Sequence, residues 1–136
     1  MYKTFEHTAD VGIRARAASL PELFADAARG LFSVIVANLE AVRTSQEIAF
    51  QLADGSIEDL LHDWLGELLY TFHVRRLVLK EFDVTIGAEG LSATARGEPV
   101  DLGRHEIDVE VKAITWHGFK VEQTPDGWLA EVIVDI

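Results

Sequence analysis

Two acidic residues at opposite ends of the chain have settings that suit chemistry. Asp10 closes His7-Thr8-Ala9-Asp10, a short polar break between two strand-like runs, and Asp135 is followed only by Ile136. A carboxylate in a tight connection either builds an Asx-turn or ligates a cation, and taken alone the turn is the commoner use. The far end of the chain shifts that balance. Trp128 to Asp135 is strongly β-prone, with Val132, Ile133 and Val134 in succession. Most chain ends fray. A core strand that runs to the final residue instead holds the terminal α-carboxylate in place beside the Asp135 side chain. Fixed anionic oxygens on adjacent residues suit a hard cation.

Other chemistries lack their residues. There is no G-x-S-x-G, no P-loop and no G-x-G-x-x-G opening a helix. With no cysteine there is no thiol nucleophile, thiolate metal site or disulfide. The five histidines are scattered without the pairing a zinc site needs. His62 shares a helical face with Asp59, Asp63 and Glu67, which reads as a solvated face, and His105 and His117 read as surface residues in polar connections. Twelve Lys and Arg against 23 Asp and Glu give a net charge of −11, which disfavours direct contact with nucleic-acid phosphates. That acidity fits a basic protein partner or a bound cation, or serves solubility alone. No apolar run approaches the ~20 residues that span a bilayer, and Met1-Tyr2-Lys3 leads straight into strand-like sequence rather than a signal peptide. The expectation is a cytoplasmic protein with no membrane contact.

The elements that must position these residues follow from periodicity. Tyr2–His7 and Val11–Ala17 read as two strands around the polar break. Ser19, Pro21 and Glu22 form a helix start, and Leu20, Leu23, Phe24, Ala27, Ala28, Leu31, Phe32 and Ile35 carry an amphipathic helix to near Asn38. Ser45 to Leu52 reads as a strand. Ser56 caps a second helix with a stripe of Ile57, Leu60, Leu61, Trp64, Leu65, Leu68, Leu69 and Phe72, running to about Val74. Val78–Ile86 and Gly90–Gly97 make a hairpin. The last stretch, from about Ile107 to Ile136, reads as a hairpin folded about Thr124-Pro125-Asp126-Gly127. Segregated strands and helices imply one α+β domain over residues 1–136, with a largely antiparallel sheet and two amphipathic helices packed on it.

Several stretches carry a family resemblance. Phe5-Glu6-His7-Thr8-Ala9-Asp10-Val11-Gly12, Trp64-Leu65-Gly66-Glu67-Leu68-Leu69-Tyr70, Val111-Lys112-Ala113-Ile114-Thr115-Trp116-His117 and the closing Val132-Ile133-Val134-Asp135-Ile136 together resemble the archease family. The match runs through essentially the whole chain in order, and the HTAD motif with a chain ending in Asp-Ile is its most specific part. Position 116 is Trp where the family usually has Tyr.

The resemblance implies a protein cofactor of RtcB-type RNA ligases, which join a 2′,3′-cyclic phosphate or 3′-phosphate RNA end to a 5′-hydroxyl in tRNA splicing and RNA repair. Those ligases pass through a guanylylated histidine and require GTP and a divalent metal. The cofactor promotes guanylylation and multiple turnover without performing ligation, so the chain is expected not to be an enzyme. Carried over by motif, a divalent-cation site falls on Asp10, Asp135 and Ile136, with Ca²⁺ the expected ion and Mg²⁺ or Mn²⁺ the alternatives. All-oxygen ligation suits such ions and suits zinc poorly. Lys112 in the VKAIT stretch is a further functional candidate, with edge protection of a strand as its plain alternative. His7 of the motif and Glu67 of the middle stretch are secondary candidates. Two rival readings stand beside this one. A metal-dependent enzyme acting on a phosphoester or nucleotide would use Asp10, Asp135 and Lys112. A general chaperone or scaffold would need an exposed apolar groove.

Overall fold

The computed structural model describes residues 1–7 and 10–136, the side chains of Glu6 and His7 apart. Thr8 and Ala9 of the polar break lie outside the described residues. Strand β1 (Tyr2–His7) pairs antiparallel with β2 (Asp10–Ala17). Helix α1 (Leu20–Ile35) starts where the Ser19 hydroxyl accepts the Glu22 N–H and Pro21 sits in the first turn. Strand β3 (Gln46–Ala53) leads to helix α2 (Ile57–Tyr70), capped by the Ser56 hydroxyl on the Asp59 N–H at 3.2 Å. Strands β4 (Leu77–Gly87) and β5 (Gly90–Pro99) form the next hairpin. The short β6 (Ala113–Ile114), β7 (Lys120–Thr124) and β8 (Gly127–Asp135) close the described chain.

The architecture is α+β, as the segregation of elements predicts, but the expected sheet is two. β1, β2, β8 and β6 lie side by side in that order, with β7 also on β8, while β3, β5 and β4 form a separate sheet. Every described pairing is antiparallel. Helix α1 touches strands of both sheets, and α2 packs on α1, β3, β6 and β7. The apolar stripe of α1 is buried through Leu23, Phe24, Ala27, Ala28, Leu31, Phe32 and Ile35. Each such large side chain contributes about 1.5–3 kcal/mol by leaving water. Trp64 of α2 is fully buried, and its indole N–H donates to the Phe24 carbonyl at 3.1 Å, so its polar atom is satisfied inside the core.

Three expectations need correction. Helix α1 stops at Ile35 rather than near Asn38, because Val36 turns extended and bridges Ile107. The Asn38 side chain then ties down the neighbouring loop, donating to the Arg104 carbonyl and accepting the Glu106 N–H, each at 2.8 Å. The first arm of the closing hairpin is not continuous. It pairs with β8 at Ala113–Ile114, where Thr115 N–H still donates to the Ile133 carbonyl at 3.0 Å, and again at Lys120–Thr124, with the turn between outside the paired register. His105 is buried rather than superficial. Its Nδ1 accepts the Asp101 N–H at 2.9 Å, which leaves Nε2–H to donate to Glu98 at 2.9 Å. Glu98 also receives the Arg43 N–H at 2.7 Å and the Arg104 guanidinium. Burial pushes the Glu98 carboxyl up, but these donors outweigh it and hold the group down at about 2.

Candidate functional site

Strand register brings the two acids together. Asp10 and Asp135 are directly opposed across β2 and β8, and both are half-buried. Directly opposed residues of an antiparallel pair leave the sheet on the same face, with Cβ atoms about 5 Å apart. The row continues on either side, with His7 opposite Asp10 on β1 and Ala113 opposite Asp135 on β6. Four strands thus place His7, Asp10, Asp135 and Ala113 in one line near one end of the five-stranded sheet. The row lies on the face turned away from α1, because the alternate residues Ile13, Val132 and Val134 are the ones buried in the core, Ile13 against Gly30 of α1.

Glu131, two pleats along from Asp135, is matched by Arg14 across the ladder at 2.7 Å and by Lys120 at 3.3 Å. The hydrogen bond from Arg14, against the opposing effect of burial, holds the Glu131 carboxyl below its usual range. Between the two acidic rows, the Phe5 ring lies over Gly12, where an added Cβ would come within 2.1 Å of the ring, and Arg14 sits 4.9 Å above Phe5. The Asp10–Asp135 row has His7 and Ala113 as register neighbours, not Lys or Arg.

The strap Val111–Ile114 that carries Lys112 is pinned from both sides. Lys112 N–H donates to the Asp135 carbonyl at 2.7 Å, so the lysine's backbone is bonded to the acidic row itself while its side chain is exposed. From helix α2, His62 Nε2 lies 2.9 Å from the Ile114 carbonyl. His73 Nε2 lies 2.8 Å from the Val111 carbonyl. A carbonyl only accepts, so both imidazoles carry their proton on Nε2. His62 is further fixed by Trp116, stacked on it at 3.9 Å between ring centroids and 2° between planes, with Phe119 packed at 5.0 Å from Trp116. The reading of His62 as part of a solvated face is therefore wrong: the ring is half-buried and holds the strap. His73 escaped the sequence reading altogether. It sits in a widened π-type turn, Thr71–Arg75, that ends α2 at Arg76, whose φ of 55° is left-handed. The helical face shared by positions 62, 69 and 73 was the available signal.

The predicted residues divide accordingly. Asp10, Asp135, the backbone of His7 and the strap of Lys112 converge, and Ile136 adjoins them in sequence. The side chain of His7 lies outside what the structure describes. Glu67 is exposed on α2, five residues and so about 140° around the helix from His62, and it does not point at the strap. Among the described residues no three His, Asp or Glu side chains form a metal cluster, so any cation here would draw on main-chain oxygens as well.

With this geometry in place, comparison with known proteins is decisive. The model of the Archease protein family matches residues 2–136. The chain belongs to the archease family. It is 41% identical over 140 residues to the protein archease of Pyrococcus furiosus, covering 99% of this chain and 98% of that one. Against the protein archease of Methanopyrus kandleri it is 37% identical over 139 residues, covering 99% of both. The solution structure of Methanobacterium thermoautotrophicum protein 1598 superposes with a TM-score of 0.81 at 29% identity, covering 99% of this chain and 98% of that one. A Thermotoga maritima archease, described as a possible chaperone, shares the fold at a TM-score of 0.69 and 22% identity, covering 100% and 98%. The resemblance carried by the sequence motifs and the archease fold thus agree. No described helix is long and apolar enough to cross a membrane.

Proposed function

We propose that this archease-family protein is a non-catalytic activator of an RtcB-type RNA ligase, promoting ligase guanylylation and multiple turnover in tRNA splicing and RNA repair. Family membership supports the reading, and the single observation that carries it is the direct opposition of Asp10 and Asp135 across β2 and β8. Like charges directly opposed on a ladder destabilise it. The pair places two carboxylates on one face of the sheet, two face-rows along from the Arg14–Glu131 ion pair, where a bound cation would offset their repulsion.

The donor chemistry fits a hard divalent cation. Two carboxylates and a main-chain oxygen of Ile136 are donors of the kind Ca²⁺ takes in sets of about 6–8, with carbonyls and water completing the shell. Such an ion would order the acidic row, and Lys112, exposed beside it, would meet the partner. The protein would dock at the ligase's nucleotide pocket with this face foremost, and its acidity suits a basic, RNA-binding partner. The term possible chaperone, used of the Thermotoga maritima protein, is in keeping with a role exerted on another protein.

The test is multiple-turnover ligation by a cognate RtcB-type ligase with and without this protein. Substoichiometric stimulation is expected, and Asp10→Ala should abolish it while leaving the circular dichroism spectrum, and the melting temperature measured in chelator, close to those of the parent. Full stimulation by the Asp10 variant would overturn the site. Hydrolysis of GTP or of a cyclic phosphate by the purified protein alone would favour a metal-dependent enzyme instead.

A further inference from the structure

Helix α2 carries a glycine that its own fold does not need. Gly66 lies in the middle of the helix, where Gly is about as unfavourable as any residue short of proline. Close packing does not require it, because a Cβ built there meets nothing within 4 Å. Nor is it a cap or a positive-φ position.

The ridge that carries the gap presents exposed aromatic and apolar side chains. His62, Gly66 and Tyr70 follow one another at four-residue spacing and form one ridge of the helix. Tyr70 is 60% exposed, and Trp116, stacked flat on His62 at the other end of the ridge, is 53% exposed. Val74, one more step along through the widened turn, is 59% exposed. These are three of the five large hydrophobic residues that the described chain leaves most exposed. Trp116 is already immobilised by His62 and Phe119, so a partner would lose little side-chain entropy in covering it. Asp63 and Glu67 flank the gap and are both exposed.

We propose that the Trp116–Gly66–Tyr70 ridge of α2 is a second docking surface for the same ligase, receiving an aliphatic or aromatic side chain over Gly66 with Lys or Arg residues of the partner set against Asp63 and Glu67. The inference rests on the proposed activator role. Charge selects the occupant: a rim of acid in a chain of net charge −11 repels a second copy and attracts a basic surface. Position supports the same occupant. His62, which anchors the ridge, also holds the Ile114 carbonyl of β6, so the ridge adjoins the strap whose Lys112 N–H bonds the Asp135 carbonyl.

The experiment measures binding of the full chain to the ligase by calorimetry, beside ligation turnover and melting temperature. Gly66→Leu occupies the gap from a Cβ position that meets nothing within 4 Å and replaces a poor helix former with a good one. It is expected to raise the melting temperature by about 3–5 °C while weakening ligase binding at least tenfold. Trp116→Ala is expected to weaken binding about thirtyfold, and Asp63→Lys with Glu67→Lys to slow association most at low salt. Ligase binding by Gly66→Leu and Trp116→Ala equal to the parent's overturns the proposal and leaves the activator role standing. Absence of binding by the parent overturns the activator role and the ridge with it. Concentration-dependent dimerisation that Gly66→Leu abolishes would assign the ridge to a second copy and also overturn the proposal.

Discussion

Glu98 and Asp10 are both acids within strands, and their surroundings give them opposite uses. Glu98 is enclosed, and its oxygens are fully engaged by Arg43 N–H, His105 and Arg104, so it holds the Asn38–Glu106 loop region together and offers nothing to a ligand. Its carboxyl is held at about 2, below the ordinary 4.5 of the unfolded chain. A depressed folded-state value means the unfolded chain binds the proton more readily. The stabilisation from Glu98 is therefore complete above about pH 4.5 and is lost as the pH falls toward 2. Glu98→Gln should cost about 3 kcal/mol at pH 7, since His105 and Arg104 lose their anion in a buried site. Urea unfolding at pH 7 and pH 3 should show a flatter acid dependence for the variant. An unchanged pH 3 to pH 7 difference would mean that other acids govern acid unfolding.

At the scale of elements, the end of α2 and the strap it holds form one mechanical unit. His62 and His73 each hold one carbonyl of the Val111–Ile114 strap, and the opposite edge of the strap bonds β8 through Lys112 N–H. Two residues of this strap, Ala113 and Ile114, enter the ladder with β8, and the histidines add restraint from the helix side. Removing His73 should release the strap without disturbing the core, because Trp64, Leu65 and Leu68 stay buried on the other face of the helix. His73→Ala is expected to cost about 1 kcal/mol of global stability. The Lys112 amide should exchange with solvent at least tenfold faster, while the amides of α2 before Tyr70 keep their protection. Equal exchange at Lys112 in variant and parent would show that β8 alone orders the strap. If the strap positions Lys112 for a partner, the same variant should also reduce ligase stimulation, by less than Asp10→Ala does.

For the whole molecule, the acidic row predicts a cation-dependent stability. An ion bound only by the folded chain at a hundred times its dissociation constant adds about 2.7 kcal/mol, or roughly 5–10 °C in melting temperature for a domain of this size. Scanning calorimetry with Ca²⁺ and with a chelator should show that gap in the parent and not in Asp135→Ala. A chelator-insensitive parent would remove the cation from the proposal. Much of this was already legible in the chain: the helix starts at Ser19 and Ser56, the apolar stripes of both helices, the β4–β5 hairpin and the acids at Asp10 and Asp135. Those features are local, set by side-chain periodicity, capping and turn chemistry within a few residues. The division into two sheets, the break of the last hairpin between Ile114 and Lys120, the burial of His105 and the grip of His62 and His73 on the strap were not. They depend on strand register and on packing between distant parts of the chain; the grip on the strap, for instance, spans 38 positions in the His73–Val111 bond and 52 in the His62–Ile114 bond. Apolar stripes, helix caps and acidic positions are properties of neighbouring residues along the chain; which of those residues face each other is set by packing across the core, between segments distant in sequence.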